Sequence, residues 1–168
     1  MTGFTLVEML VVVVIVAIMI TGAVLALSVA GRDRALDNEA RRLEALLNLA
    51  RERAELQTRE YGLRAGPSGY AFVIYEPRSG EWMVPADESL RARELPEGLT
   101  LRLVVEGRPI VLRDQQGPAG LVPQVAIASS GGFSSFELTL EREGGETLTL
   151  RTADDGGLAS LQTAEAAG

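Results

Sequence analysis

Between Met9 and Gly31 the chain carries no charged residue, and from Met9 to Leu27 only Thr21 and Gly22 interrupt an apolar run. At about 1.5 Å of rise per residue, a helix of that run is roughly 29 Å long, close to the thickness of bilayer hydrocarbon. A cleavable secretory signal would carry an apolar stretch of about 7–15 residues behind a basic start. Here the run is longer, and no Lys or Arg precedes it. The expectation is a retained membrane helix. Charge leaves its orientation open. Arg32, Arg34, Arg41 and Arg42 follow the run, with Asp33, Asp37, Glu39 and Glu44 among them. Read alone, the positive-inside rule would put the following part in the cytoplasm.

The helix does not end at the membrane surface. The first proline is Pro67, and the stretch from Arg32 to Arg59 is rich in Ala, Leu, Glu and Arg, all strong helix formers. Leu36, Ala40, Leu43, Leu47, Ala50 and Ala54 recur at steps of four and three, which lays one apolar stripe along a helix. Glu39, Arg42, Glu52, Arg53 and Glu55 fall off that stripe. The pattern predicts one helix from about Phe4 to about Gln57, on the order of 80 Å long. Residues 4–31 form its membrane-spanning part and residues 32–60 its amphipathic continuation.

After Tyr61 proline and glycine become frequent and the apolar period shortens to two. Tyr70–Tyr75 reads as a strand, Pro77–Gly80 as a turn and Glu81–Val84 as the hairpin partner. Leu99–Val105, Pro109–Leu112, Gln124–Ala128, Phe136–Arg142, Thr147–Thr152 and Leu158–Leu161 read as further strands. Asp114–Pro123 is a loop, and Gly144-Gly145 is a hairpin turn. The expected fold class is α+β: a long N-terminal helix packed on an antiparallel β domain, residues 61–162, with residues 163–168 as a flexible tail.

Composition narrows the chemistry. The chain has no cysteine and no histidine, which removes thiolate metal sites, most zinc sites and the usual general base. Its net charge is −7, and its 16 basic residues are all arginine. A phosphate-binding footprint is missing overall, so no nucleic-acid partner is expected. Asp154-Asp155 before two glycines reads as a turn, with too few oxygen ligands for calcium. Ser129-Ser130-Gly131-Gly132 lacks the lysine and the following helix of a phosphate loop. Glu137 and Glu141 should sit on a solvated strand face. Trp82, Tyr70, Phe72 and Tyr75 read as core and sheet-face residues. No catalytic residue, cofactor or metal site is expected.

Glu8 is what composition leaves unexplained. At bilayer depth a carboxylate costs about 2.5–3.5 kcal/mol, so it calls for solvent at the headgroups or a cationic partner. Gly3-Phe4-Thr5-Leu6-Val7-Glu8-Met9-Leu10, ahead of the apolar run, resembles the leader junction of type IV pilins and type II secretion pseudopilins. The resemblance implies a short leader, residues 1–3, removed by prepilin peptidase between Gly3 and Phe4, with Phe4 then N-methylated. It also implies an assembly role for Glu8, whose carboxylate would neutralise the new ammonium group on the same or a neighbouring subunit. Such leaders usually carry Lys or Arg, whereas Met1 and Thr2 precede the glycine here.

Downstream segments narrow the resemblance. Arg59–Arg64, Trp82 with Val84-Pro85, Leu95-Pro96, Pro123–Phe136 and Asp155-Gly156 are similar to the H-type minor pseudopilin family of type II secretion. That family implies a pilin-like fold and a structural, non-enzymatic subunit at or near the tip of a periplasmic fibre, helping to initiate its assembly. Its implied partners are other minor pseudopilins, the major pseudopilin, prepilin peptidase, the inner-membrane assembly platform and membrane lipid. The implied location is the bacterial inner membrane, single-pass, with the N-terminus cytoplasmic and the C-terminal domain periplasmic. The alternative is a minor type IV pilin that primes a pilus or takes up DNA.

Overall fold

The computed structural model describes residues 6–113, 121–142 and 146–163, with side chains for all of these except 21–33 and 160–163. The expected leader, the expected Gly144-Gly145 turn, most of the expected Asp114–Pro123 loop and residues 164–168 therefore lie outside the described residues. The chain divides into two compact units, Met1–Ala35 and Leu36–Gly168.

Helix α1 runs from Leu6 to Gln57. Within the first unit its apolar side chains stand open: Leu6 is 83% exposed and Met19 69% exposed. Among the described residues no helix is long and apolar enough to cross a membrane. The apolar run continues through 21–27, where side chains are not described.

In the second unit α1 behaves as an amphipathic helix. Leu36, Ala40, Leu43, Leu47, Ala50 and Ala54 are all buried. The helix stops at Gln57 because Thr58 turns into the left-handed region at φ 51°. The amides of Thr58 and Arg59 then bond back to the carbonyls of Glu55 and Ala54 at 3.3 and 3.1 Å, which satisfies carbonyls that the helix leaves open.

The β domain is two five-stranded antiparallel sheets rather than one continuous sheet. The first has the order β3 (Glu81–Met83), β2 (Gly69–Glu76), β1 (Tyr61–Ala65), β7 (Val125–Ile127), and the short β4 (Arg93–Glu94) also pairs with β2. The second has the order β10 (Leu158–Thr163), β9 (Thr147–Thr152), β8 (Phe136–Arg142), β5 (Leu99–Val105), β6 (Arg108–Ile110). A single bridge between Ile127 and Phe133 extends the β7 edge toward the start of β8.

The strands expected from alternation are present, except that the one expected at Pro109–Leu112 runs Arg108–Ile110 and leaves Val111 and Leu112 outside it. β1 and β4 were not expected, and β1 proves central, with Tyr61, Leu63 and Ala65 buried in alternation. Gly62 lets β1 sit there, because a Cβ at that position would run into the Pro123 side chain. The Gln124 side-chain amide accepts from the Ala65 N–H at 3.0 Å and donates to the Ala65 carbonyl at 3.1 Å, prolonging the β1–β7 ladder by a residue.

The helix stripe and the inner faces of both sheets make one core. Leu43 and Leu47 from α1, Leu63 and Phe72 from the first sheet, and Leu101, Leu138, Leu140 and Leu150 from the second belong to one apolar cluster. Removing any of these from water stabilises the fold by about 1.5–3 kcal/mol per side chain.

Candidate functional site

Glu8 sits in the first turn of α1 with an exposed side chain. Around it Leu6, Val7, Met9 and Leu10 are each more than half exposed. So much open apolar surface on one segment marks a face built for lipid or for other helices. Gly3 and Phe4 lie outside the described residues.

The remaining sequence candidates fall into place as structural groups. Asp155 Oδ1 accepts from the Gly157 N–H at 2.8 Å, so Asp154-Asp155 belongs to a turn. Among the described residues no cluster of potential metal ligands occurs. Ser129–Gly132 is likewise a turn, closed by the Gly131 N–H to the Ala128 carbonyl at 2.8 Å, with Gly131 at φ 84°. It packs against the end of α1, where a Cβ at Gly131 would collide with the Glu55 carboxylate. Glu141 pairs with Arg102 at 3.1 Å on an exposed strand face, and Glu137 is exposed nearby. Tyr70 and Phe72 are buried, while Tyr75 and Trp82 are half-exposed and meet at a tilt of 59°, ring centroids 5.4 Å apart.

Glu39 corrects the reading of the helix. Placed off the apolar stripe by its spacing, it is 1% exposed in the structure. The Tyr70 hydroxyl donates to its Oε1 at 2.7 Å, and Arg42 donates to its Oε2 at 2.9 Å. Burial of a carboxylate is tolerable because both oxygens are engaged. At seven-residue steps beside the stripe Glu39 shares a column with Leu46 and Arg53, a spacing that by itself gives no sign of a buried carboxylate. Leu46 is buried, and Arg53 pairs with Asp87 at 3.2 Å.

A largely apolar recess of about 340 Å³ beside β2 is lined by Arg64, Ala71, Phe72, Val73, Val84, Ala92 and Leu121. None of these side chains is a nucleophile or a general base at neutral pH.

The comparisons with known proteins meet this geometry at both ends. The prokaryotic N-terminal methylation motif matches residues 2–24, and the type II transport protein GspH family matches residues 39–156. Type II secretion system protein H of Pseudomonas aeruginosa is 38% identical over 159 residues, which is 92% of this chain and 91% of that protein. The protein of the same name from Aeromonas hydrophila is 33% identical, over 98% of this chain and 95% of its own length. The crystal structure of the minor pseudopilin EpsH from the type II secretion system of Vibrio cholerae aligns with a TM-score of 0.66 at 22% identity, covering 81% of this chain and 99% of that one. The solution structure of E. coli GspH aligns with a TM-score of 0.56 at 24% identity, covering 79% and 88%. At these identities the two structures show a shared fold. The methylation motif, the two-sheet domain and the relatives matched over nearly their whole length agree: this chain belongs to the GspH family of type II transport proteins.

Proposed function

We propose that this chain is a minor pseudopilin of a type II secretion system, a structural subunit of the periplasmic pseudopilus rather than an enzyme. The observation that carries the reading is the order of two matches on one chain, a methylation motif at residues 2–24 and the GspH family over residues 39–156. In this reading α1 anchors the chain in the inner membrane as a single span, with the N-terminus cytoplasmic and the β domain periplasmic. Prepilin peptidase cuts between Gly3 and Phe4, and the new N-terminus is methylated. The chain then enters at or near the fibre tip beside other minor pseudopilins and the major one, on the assembly platform.

Physical chemistry gives each residue its part. Gly3 leaves the backbone open to the peptidase, because it carries no side chain. Cleavage creates an ammonium group at Phe4, next to an apolar segment. The Glu8 carboxylate, one helical turn along, compensates that charge when docking withdraws it from water, since an unpaired buried charge is strongly destabilising.

The test is to express the full chain with prepilin peptidase and the other minor pseudopilins, then to measure intact mass and co-purification. Glu8→Ala is expected to be trimmed after Gly3 like the parent. Its recovery with the other subunits should fall at least tenfold, as expected from losing a charge partner worth a few kcal/mol. Full assembly of the processed Glu8→Ala chain would show that the carboxylate is merely solvated.

A further inference from the structure

The two ends of the helix segment in the β domain are held differently. At Gln57 the chain passes into β1 through only Thr58, Arg59 and Glu60, so that end is tied covalently to the sheet. At Leu36 the helix arrives from outside the domain, and side-chain contacts alone hold it down. The apolar contacts at that end are those of the buried Leu36 and the small Ala40, ahead of Leu43. Against that end the core places its one buried carboxylate among the described residues, Glu39.

Glu39 is gripped from the sheet by Tyr70 at 2.7 Å and from its own helix by Arg42 at 2.9 Å. Tyr70 is itself fixed, pairing with Ala65 of β1 and Arg93 of β4. The neighbouring Gly69 brings β4 so close that a Cβ would collide with the Arg93 carbonyl. The hydroxyl therefore projects from a rigid three-strand corner. A hydrogen bond from such a donor to a carboxylate is stronger than one between neutral groups and vanishes over a short displacement.

We infer that the Glu39–Tyr70 hydrogen bond is a latch that fixes where α1 leaves the β domain. With the latch closed the helix departs at Leu36. With it open the segment 36–43 lifts off as a unit, and departure moves to about Leu43, the next large side chain of the stripe. The latch thereby sets how much of α1 stays on its own sheet and how much is free to pack elsewhere. It is a property of the β domain and stands whether or not the chain assembles into a fibre.

Hydrogen exchange read by mass spectrometry on the full chain in detergent micelles tests this. In the unmodified chain the amides of 36–43 should open separately from those of 47–54, and about tenfold or more readily. Tyr70→Phe keeps the ring and removes the donor. It should speed exchange over 36–43 by a further tenfold or so and leave 47–54 and β1 within about twofold. Glu39→Gln retains an acceptor for the hydroxyl and should stay closer to the parent than Tyr70→Phe does. Two results would overturn the latch: joint opening of 36–43 and 47–54 in the unmodified chain, or an unchanged or uniform exchange profile in Tyr70→Phe.

Discussion

Burial, together with the hydrogen bond to the Glu39 carboxylate, pushes the Tyr70 hydroxyl well above the ordinary tyrosine range. Burial raises Tyr61 as well, opposed by Arg59 and Arg53. The folded chain thus keeps protons that the unfolded chain releases above about pH 10. The corresponding stability is complete below that pH and is lost as pH rises beyond it. Urea midpoints at pH 8, 10 and 11 should fall steeply for the parent and less steeply for Tyr70→Phe, with the remaining slope due to Tyr61. Gly131 makes a steric prediction. Its φ of 84° and its contact with Glu55 both exclude a side chain, so Gly131→Ala should cost at least about 2 kcal/mol in chemical denaturation. Adding Glu55→Ala should return part of that loss and leave the backbone strain.

At the scale of elements, α1 ends on a strained residue. Thr58 is β-branched and sits at φ 51°, a region that glycine enters without penalty. Thr58→Gly should raise stability by about 1 kcal/mol, read as a higher denaturation midpoint at an unchanged slope. This helix end was legible in the sequence, as were β2, β5, β8 and β9, because long alternating or stepped runs bury enough apolar surface to override local preference. β1 was not. Tyr61-Gly62-Leu63-Arg64-Ala65 is short and carries a glycine and an arginine, and it becomes a strand only because β2 and β7 pair with it on either side. Glu39 was missed for a similar reason. Its burial depends on Tyr70, 31 residues away, and helical spacing holds no information about so distant a donor. The division into two sheets was also hidden, since pairing partners, not strand patterns, determine it. Glu8 stood out because a lone carboxylate before a long apolar run violates the pattern around it.

At the scale of the whole molecule, α1 presents open apolar side chains from Leu6 to Ile20, while Leu36–Gly168 carries its own buried core. Such a chain combines a surface that must be covered by lipid or by other helices with a domain that folds around itself. In the proposed reading, that combination suits a subunit held in a membrane until it is drawn into a fibre. The claim that the fibre serves protein secretion is tested most directly by deleting the gene in its own host and measuring secreted proteins in the medium, with the wild-type chain returned on a plasmid. Loss of export, with folded substrates accumulating in the periplasm and export restored by the returned chain, is the predicted result. Unchanged export together with loss of a pilus-dependent trait would contradict it.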